Sequence, residues 1–241
     1  MEIIHPDNIE YNFILKGLCV SQSISQMEFR CEGYQECDEN MEGDIMFLPA
    51  PVAVRKLDNY SILNSGNIFS YFNGPSIMLT VKDFENVYVK KGDLLSFYYG
   101  KILTSRYRII IGNGEPVLTE PGRIMEFYNK NMEKMDLYEE WGRITNFLPM
   151  PLYIGLINNN LLEIKPQVEK SIYSSIKNSL ENFNSVTEEI YRERRVSNPD
   201  LVKMIILQYV NKRSIDMGKE ELEAIEFLRN IMNRSALMDK P

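Results

Sequence analysis

The chain has 241 residues, of which 44% are hydrophobic and 25% charged, and its formal net charge is −7. This composition is typical of an ordinary globular protein, so it excludes a fibrous or wholly disordered chain. From residue 166 onward there are 12 basic and 12 acidic side chains, which leaves 15 basic and 22 acidic ones before it. The acidic first part would repel a phosphate backbone, so we expect no general binding of nucleic acid.

No apolar run in the sequence approaches the roughly 18 to 20 residues that a membrane helix requires. The first nine residues carry acids and a proline where a signal peptide would carry lysines and an apolar core. Cys19, Cys31 and Cys37 are an odd number at spacings that fit no common disulfide framework, which favours free thiols. We therefore expect a cytoplasmic protein, or a virion component if the chain is viral, without membrane contact.

The first half of the chain predicts mainly strands. Ile9, Tyr11, Phe13 and Leu15 alternate with other residues, which indicates a strand with one buried face. Apolar runs rich in β-branched and aromatic residues follow at 45–48, 77–81, 87–89, 94–99 and 107–111. Turn residues separate several of these runs, so we predict an antiparallel sheet that forms a sandwich or a partly closed barrel.

The middle of the chain predicts a helix followed by a domain boundary. Apolar residues recur at helical intervals over residues 123–143. Pro149 and Pro151 cannot continue a helix, because each lacks an amide donor and restrains the residue before it. We predict a β-rich domain over residues 1–147, ending in this helix, and a mainly helical domain over residues 148–241.

The last third of the chain predicts helices. Val168, Ile172, Ile176 and Leu180 recur at steps of four, so their side chains share one helix face that we expect to dock into a core. Proline directly after Asn198 is typical of the start of another helix. The predicted fold class is α+β, with an antiparallel β-rich N-terminal part followed by a helical C-terminal part.

Few patterns in the sequence indicate catalysis. His5 is the single histidine, and its position beside Pro6 near the terminus favours a solvent-facing residue over a catalytic base. Common hydrolase mechanisms that use histidine are therefore set aside. The sequence has neither of the two common glycine-rich phosphate-binding motifs, so no nucleotide or other cofactor is predicted.

An acidic segment offers a weak metal-binding pattern. Asp38, Asn40, Glu42 and Asp44 place oxygen-bearing side chains at alternate positions, as in the first part of a calcium-binding loop. The twelfth position of such a loop should be a bidentate glutamate, and here it is Pro49. We favour a solvated acidic loop without metal, and a divalent-ion site is the alternative.

A second pattern resembles half of a nuclease site. Glu163 and Lys165 form a Glu-x-Lys motif, which we place at the end of a predicted strand. In metal-dependent nucleases such a carboxylate binds magnesium and the lysine steadies the attacking water. The aspartate that should complete the site has no good candidate upstream, because Asp136 lies in a predicted helix.

Arg192, Arg194 and Arg195 form a basic cluster that could bind an acidic protein partner or a phosphate group. Acidic residues interleave with them, which also fits ion pairs on a helix surface. Because every catalytic pattern is fragmentary, we predict a non-catalytic interaction or assembly subunit of a phage, viral or bacterial complex. Its expected partners are other protein chains, in an oligomer or hetero-complex. The alternative is a magnesium- or manganese-dependent phosphodiesterase or nuclease that uses Glu163 and Lys165.

Overall fold

Two β-sheets form the frame of the molecule. The computed structural model describes residues 1–19, 27–79, 84–121, 133–195 and 198–234. The strands are β1 (Glu2–Pro6), β2 (Arg30–Tyr34), β3 (Ile45–Pro49), β4 (Tyr60–Ile62), β5 (Ile68–Ser70), β6 (Ser76–Leu79), β7 (Asn86–Val89), β8 (Arg108–Ile111), β9 (Val117–Thr119), β10 (Glu133–Asp136) and β11 (Met150–Asn158).

Helices pack around both sheets. They are α1 (Ile9–Ile14), α2 (Lys16–Cys19), α3 (Ala50–Ala53), α4 (Leu94–Leu103), α5 (Leu137–Thr145), α6 (Lys165–Glu181), α7 (Phe183–Arg194), α8 (Pro199–Tyr209), α9 (Lys212–Ile215) and α10 (Lys219–Arg234). In the part of the chain that the structure describes, 3-10 helices lie at Val54–Lys56 and Asn159–Ile164. Among the described helices, none is both long and apolar enough to cross a membrane.

The first sheet has the strand order β2-β1-β3-β11-β4, and β5 also pairs with β11. Strand β1 runs parallel to β2 and β3, whereas β11 is antiparallel to its three neighbours. We call this sheet with its helices, built from residues 1–70 and 150–234, the first lobe. The other strands of this sheet all lie before residue 71, whereas β11 begins at Met150. Strand β11 therefore returns to the first sheet after the chain has formed the second one.

The second sheet has the order β10-β6-β9-β7-β8 and comes from residues 76–136, which we call the second lobe. Strand β7 is parallel to β8 and β9, whereas β6 is antiparallel to β9 and β10. Both sheets are thus mixed, and helices interleave with their strands. The predicted fold class, an antiparallel β-rich part followed by a separate helical part, is wrong.

Two of the predicted strands are helices. The segment around Tyr11 and Phe13 forms α1, where Asn8 caps the first turn by accepting a hydrogen bond from the Tyr11 backbone N–H at 2.9 Å. Residues 94–99 lie in α4, which Asp93 caps by accepting from the Ser96 backbone N–H at 3.0 Å. Both helices are buried on nearly every face, so their sequences lack the polar stripe that reveals a surface helix.

The helix predicted over residues 123–143 is only partly described, because residues 122–132 lie outside the described residues. Glu133–Asp136 is a strand, so the prediction is wrong there, and α5 begins at Leu137. The Asp136 carboxylate accepts hydrogen bonds from the backbone N–H groups of Tyr138 at 2.9 Å and Gly74 at 2.7 Å. This capping group fixes the end of the strand and the start of the helix.

The helical prediction for residues after 166 is confirmed for α6. Val168, Ile172 and Ile176 are completely buried along one face of this helix. The same face carries Ser175 and Ser179, whose hydroxyls donate to the carbonyls of Ile14 and Phe13 at 2.7 and 2.8 Å. These serines satisfy carbonyl groups that α1 leaves open at its C-terminal end, so α6 supports α1 through polar as well as apolar contacts.

The cysteines differ from the prediction of free thiols. Cys19 and Cys31 form a disulfide that joins the end of α2 to β2, with their Cα atoms 5.6 Å apart. Cys37 is the free, buried cysteine. Within the described residues, no group of three His, Cys, Asp or Glu side chains lies close enough together to hold a metal ion.

Candidate functional site

A cleft of about 360 Å³ lies between the two lobes. The first lobe lines it with the residues that follow β1, β2 and β3, and with parts of β11, α7 and α8. The second lobe contributes the start of α4 and the residues after β9. Open α/β sheets bind ligands beyond the carboxyl ends of their strands, and the cleft lies at that edge of the parallel strands.

The turn after β1 places the first acidic group. Asp7 and Asn8 follow Pro6, and the Asn8 cap starts α1 so that Glu10 lies in its first turn. Glu10 is 7% exposed and lines the cleft. Its carboxyl group accepts a hydrogen bond from its own backbone N–H. The carboxyl group is therefore available to a molecule in the cleft.

Burial sets the protonation of Glu10. The pKa of this carboxyl is raised to about 7, mainly by desolvation and to a smaller degree by the charge of Glu120, whereas the hydrogen bond from its own backbone N–H and the charge of Arg194 oppose the shift. A carboxyl group with this pKa is present in both protonation states near neutral pH. It can accept a proton or donate one, which is the property that general acid-base catalysis requires.

The second lobe places Glu120 and the start of α4 opposite Glu10. Glu120 follows β9, and its carboxylate accepts a hydrogen bond from the Tyr153 hydroxyl of the first lobe. The backbone N–H of Cys37 donates to the Gly92 carbonyl at 3.2 Å, which makes a second contact across the cleft. Gly92 has a φ of +81°, a conformation that favours glycine. A Cβ at this position would also lie 2.6 Å from Glu36, so the close approach of these two segments requires glycine.

Three phenols complete the polar lining of the cleft. Tyr34, Tyr153 and Tyr209 are partly or fully buried there, and burial raises the pKa of each phenol. They remain neutral hydroxyl groups at physiological pH. Cys37 also lines the cleft, and burial raises the pKa of its thiol to about 12, so it is not a thiolate nucleophile near neutral pH.

An ion pair holds the turn after β1. Arg194, the last residue of α7, pairs with the Asp7 carboxylate and donates to the Asp7 carbonyl at 2.9 Å. Both side chains are partly exposed, at 24% and 32%. The pair fixes the end of α7 against the turn that carries Asn8 and Glu10, so it positions the acidic group.

The structure separates the three arginines of the predicted partner-binding cluster. Arg194 lines the cleft, whereas Arg192 pairs with Glu188 on the surface of α7 at 3.1 Å. Arg195 follows the helix with a φ of +50°. Whether any of them binds a protein partner stays a prediction.

Glu163 and Lys165 lie outside the cleft lining. Glu163 is exposed in the 3-10 helix Asn159–Ile164, and Lys165 begins α6, where its Nζ atom lies 3.7 Å from a carboxylate oxygen of Glu169. The prediction that this motif ends a strand is wrong. Whether the two side chains take part in catalysis stays a prediction.

The acidic loop does not assemble metal ligands among the described residues. The Asp38 carboxylate accepts from the backbone and side-chain N–H groups of Asn40, at 2.8 and 3.1 Å. Asp44 instead accepts from the backbone N–H of Glu2 at 3.0 Å, which ties the loop to β1. The Asp38 carboxylate therefore stabilises a turn within the loop, whereas the Asp44 carboxylate binds the start of β1. The two carboxylates do not point at a common site.

His5 also differs from its predicted exposure. It lies in β1 at 8% exposure, with its Nδ1 atom 2.9 Å from the Pro6 carbonyl oxygen. Burial lowers the pKa of the imidazole, so it is neutral near pH 7. The sequence did not indicate that β1 would lie between two other strands, where the imidazole is buried.

Sequence reasoning missed Glu10, Glu120 and Tyr153 as site residues. The available signals were the capping residues Asn8 and Asp93, each of which starts a helix at the cleft. A cap marks a helix start, but it does not tell which helix starts meet at one place.

Part of the chain is similar to a known protein family. The sequence model of a family described as menaquinone biosynthesis matches residues 117–234, just under half of the chain. Glu120, Tyr153, Arg194 and Tyr209 lie inside the matched region, and Glu10 lies before it. Among curated proteins, none matches the sequence.

Solved structures match over nearly the whole chain. Protein AF1704 from Archaeoglobus fulgidus has a TM-score of 0.86 at 16% identity, covering 98% of this chain and 97% of that one. The CA3427 gene product of Candida albicans, described as having the generic periplasmic binding protein fold, has a TM-score of 0.63 at 9% identity, covering 98% and 90%. The aliphatic sulphonate binding protein SsuA from Escherichia coli has a TM-score of 0.63 at 7% identity, covering 100% and 94%.

These findings correct two predictions. The similarity to a biosynthetic family and the fold it shares with AF1704 overturn the prediction of a non-catalytic assembly subunit. They equally overturn the prediction of a viral or phage component. The chain has an α/β fold of the periplasmic-binding-protein type, and over residues 117–234 it is similar to a family of menaquinone biosynthesis.

Proposed function

We propose that this protein is an enzyme of menaquinone biosynthesis that binds a small organic molecule in the cleft and transfers a proton through Glu10. The observation that carries the proposal is the buried Glu10 carboxyl, whose pKa is raised to about 7 at the edge of the cleft. The similarity of residues 117–234 to a biosynthetic family supports the pathway. The cleft volume of about 360 Å³ suits a molecule of small metabolite size.

Glu10 has the properties of a general acid or base. Its pKa near neutrality gives useful amounts of both protonation states, and the surrounding protein excludes most of the water that would compete for the proton. Its helix begins at the Asn8 cap and is held from behind by Ser175 and Ser179 of α6. A carboxyl group on a supported helix keeps one position while a substrate reacts.

The other polar groups would orient the substrate. Tyr34, Tyr153 and Tyr209 present neutral hydroxyls, and Glu120 is fixed by the Tyr153 hydroxyl that it accepts. Because Tyr153 and Glu120 come from different lobes, their hydrogen bond holds the two sides of the cleft together. The substrate would then react away from bulk water.

A solute-binding protein without chemistry is the second candidate. The fold favours it, since SsuA is described as binding aliphatic sulphonates and shares the two-lobed architecture. Arg194 is the one basic side chain among the described cleft residues and already pairs with Asp7, so an anion would be held mainly by backbone N–H groups and hydroxyls. A binding protein would hold its ligand unchanged, whereas the enzyme would convert it.

We also propose that the protein works in the cytoplasm, where biosynthetic enzymes meet their substrates. The bonded pair Cys19 and Cys31 is the feature that argues for an oxidising compartment instead. Alkylating thiols in rapidly quenched and denatured cells tests this. If the location is cytoplasmic, the reducing environment should keep Cys19 and Cys31 as thiols in the cell, although the structure can join them in a disulfide. A bonded pair in the cell would contradict the cytoplasmic location.

Complementation tests the enzymatic proposal. A bacterial strain that lost menaquinone through deletion of its own member of this family would receive the gene for this chain. We expect mass spectrometry of lipid extracts to find menaquinone restored by the natural chain. The Glu10→Gln variant should restore little or none, because removing a general acid or base costs about 10² to 10⁴ in rate.

Glu226→Gln is the matched control, because Glu226 is exposed on α10 and its loss changes the net charge equally. It should restore menaquinone like the natural chain. If the folded natural chain restores none in strains deleted for any member of the family, the proposal is wrong. Full restoration by Glu10→Gln would instead remove Glu10 from the chemistry.

A further inference from the structure

A side-chain bridge joins the two lobes beside the cleft. Arg55 lies in the 3-10 helix Val54–Lys56 of the first lobe, and its Nη1 atom donates to the Tyr98 hydroxyl of α4 at 2.7 Å. The same nitrogen donates to a carboxylate oxygen of Glu39 at 3.0 Å. Glu39 belongs to the loop after β2, so one guanidinium group connects two segments of the first lobe with a helix of the second.

The bridge is partly shielded from water. The side chains of Arg55 and Glu39 are 31% and 15% exposed, and Tyr98 is completely buried. The centre of the Tyr98 ring also lies 5.7 Å from the guanidinium carbon of Arg55. A hydrogen bond from a charged donor is stronger than one between neutral groups, and burial reduces its screening by salt. Removing the guanidinium group would leave the buried Tyr98 hydroxyl without this donor, which costs free energy.

The segments at both ends of the bridge line the cleft. In the first lobe, Cys37 lines it two residues before Glu39, and the Cys37 backbone N–H donates to the Gly92 carbonyl of the second lobe at 3.2 Å. In the second lobe, the start of α4 lines the cleft one turn before Tyr98. The bridge therefore holds together two segments that meet at the edge of the candidate site.

Packing connects α4 to the carboxyl groups of the site. Gly100 of α4 lies against Leu118 of β9, so closely that a Cβ on the glycine would come within 2.6 Å of the leucine side chain. Glu120 directly follows β9, and its charge acts on Glu10 across the cleft. Because closely packed elements transmit displacements, the position of α4 affects where Glu120 lies relative to Glu10.

We infer that Arg55 is a positioning residue for the candidate site, which holds α4 and the loop after β2 so that the second lobe keeps its place opposite Glu10. Arg55 is not one of the residues that line the cleft, so it acts through Tyr98 and Glu39 and not on the substrate itself. Its effect on catalysis rests on the proposed function, whereas its effect on the lobes can be measured in the purified protein.

An arginine that only added stability would behave differently. Its loss would speed hydrogen exchange throughout the core, because the slowest amides exchange through global unfolding. Loss of a positioning arginine instead speeds exchange where the lobes meet. Substitutions of two side chains that bond to each other are also non-additive, since the second substitution removes an interaction that is already lost.

Hydrogen exchange followed by NMR tests the bridge directly. In Arg55→Ala we expect the Cys37 amide and the amides of the first turn of α4 to exchange about tenfold faster, because the contact between the lobes is loosened. Tyr98→Phe, which removes one oxygen atom, should have a similar effect. The double variant should exchange no faster at these amides than Arg55→Ala does, and the amides of the buried strand β3 should be unchanged in all three.

Arg143→Ala is the matched control, because Arg143 is exposed and pairs with Glu140 on the surface of α5. It removes an arginine and an ion pair, as Arg55→Ala does, but no contact between the lobes. Exchange in this variant should equal that of the natural chain at Cys37 and in α4.

Titration of Glu10 reports the position of the second lobe. Burial and, to a smaller degree, the charge of Glu120 raise the pKa of Glu10 to about 7, whereas the charge of Arg194 lowers it. If loss of Arg55 lets the second lobe move away, both raising effects decrease, and the pKa of Glu10 should fall towards its ordinary value of 4.5. NMR of the glutamate carboxyl carbons measures this, with the Glu10 signal identified by its absence in Glu10→Gln.

Menaquinone restoration tests the effect on catalysis. Arg55→Ala should restore at least about fivefold less menaquinone than the natural chain, because a small displacement of groups around a substrate slows its reaction. Arg143→Ala should restore the same amount as the natural chain. Full restoration by Arg55→Ala would overturn the inference.

The inference is also overturned if Arg55→Ala leaves the exchange of the Cys37 amide or the pKa of Glu10 unchanged, or if exchange rises equally in β3. Additive effects of Arg55→Ala and Tyr98→Phe would overturn it too. Where Arg55→Ala does not fold, Tyr98→Phe decides by the same measurements. If the natural chain restores no menaquinone while exchange and titration change as expected, the proposed function fails and the role of Arg55 between the lobes stands.

Discussion

The two lobes differ in how completely their sheets are buried. In the first lobe, β3 is buried along its whole length and β11 along all but its last residue, because helices cover the sheet. In the second lobe, the longest buried run in a described strand is three residues of β6, and the edge strands β8 and β10 consist of exposed and half-buried residues, as does the edge strand β2 of the first lobe. The difference teaches that the long buried strands, β3 and β11, belong to the first lobe, whereas the edge strands of both sheets face solvent.

The two lobes also contribute different residues to the candidate site. Glu10, with its raised pKa, and the ion pair of Asp7 and Arg194 belong to the first lobe. The second lobe contributes Glu120 and the start of α4. Glu10 therefore lies on the lobe with the two long buried strands, and Glu120 lies on the other lobe.

The largest expected effect on stability comes from placing a charged side chain in the buried core. Ile176→Asp on α6 should lower the free energy of unfolding by about 4 kcal/mol or more, since Ile176 is completely buried. The same change at Ile110 on the half-buried β8 should cost about 1 to 2 kcal/mol. Urea unfolding followed by fluorescence of Trp141, the single tryptophan, measures both.

If Ile176→Asp does not fold, Ile176→Ala gives the same test with an expected cost of about 2 to 4 kcal/mol. Ile110→Ala is its partner in the second lobe, and it should cost clearly less. Equal costs at the two positions would contradict the difference between the lobes.

The next effect is a dependence of stability on pH. The pKa of Glu10 is raised from 4.5 to about 7, so the folded state holds its proton more tightly than the unfolded state does. The resulting stabilisation is fully present below about pH 4.5 and is lost as pH rises to about 7, by on the order of 3 kcal/mol. Glu10→Gln should remove this part of the pH dependence. Parallel curves of unfolding free energy against pH for the two proteins would contradict the raised pKa.

A smaller effect compares two glycines, one in each lobe, against which a buried side chain of the same lobe packs. A Cβ at Gly155 of β11 would lie 2.7 Å from the buried ring of Phe47, so Gly155→Ala should cost about 2 kcal/mol. A Cβ at Gly100 of α4 would lie 2.6 Å from the end of the Leu118 side chain, which can rotate away. Alanine also favours the helix, so Gly100→Ala should cost less than about 1 kcal/mol. Thermal unfolding of the two variants ranks them, and the reverse order would break the comparison.

The smallest effect concerns the contact between the lobes. Tyr153→Phe removes the hydrogen bond to Glu120 and should cost about 1 kcal/mol. Tyr34→Phe is the control, because its hydroxyl donates to the Phe47 carbonyl inside the first lobe at 2.9 Å. Only Tyr153→Phe should speed hydrogen exchange in β9, the strand before Glu120. Faster exchange there in both variants would mean that the bond does not couple the lobes.

Several elements could be predicted from local patterns, and others could not. The spacing of Val168, Ile172 and Ile176 predicted α6, because one face of that helix is buried and the other is wet. Helices α1 and α4 were predicted as strands, because the core surrounds them and their buried residues are consecutive. A pattern of burial reveals a helix only where the helix has an exposed side.

The candidate site depended on the tertiary structure to a greater degree. Glu10 and Glu120 are far apart in the sequence, and each resembles any other surface glutamate when read locally. The raised pKa of Glu10 arises from the protein packed around it, which no neighbouring residue in the sequence supplies. The sequence offered only the caps Asn8 and Asp93, which mark helix starts without locating them in space.

The sequence by itself determined the ordinary globular composition, the helices after residue 165, and several strands, including the runs that became β3 and β7. These features follow from local periodicity and turn chemistry. Only the tertiary structure decided that β1, β2 and β3 run parallel, that β11 joins them from the far end of the chain, and that a cleft lies at their carboxyl ends. The physical reason is that strand pairing and burial depend on contacts between residues distant in the sequence, and those contacts create the acidic cleft and the charge state of Glu10.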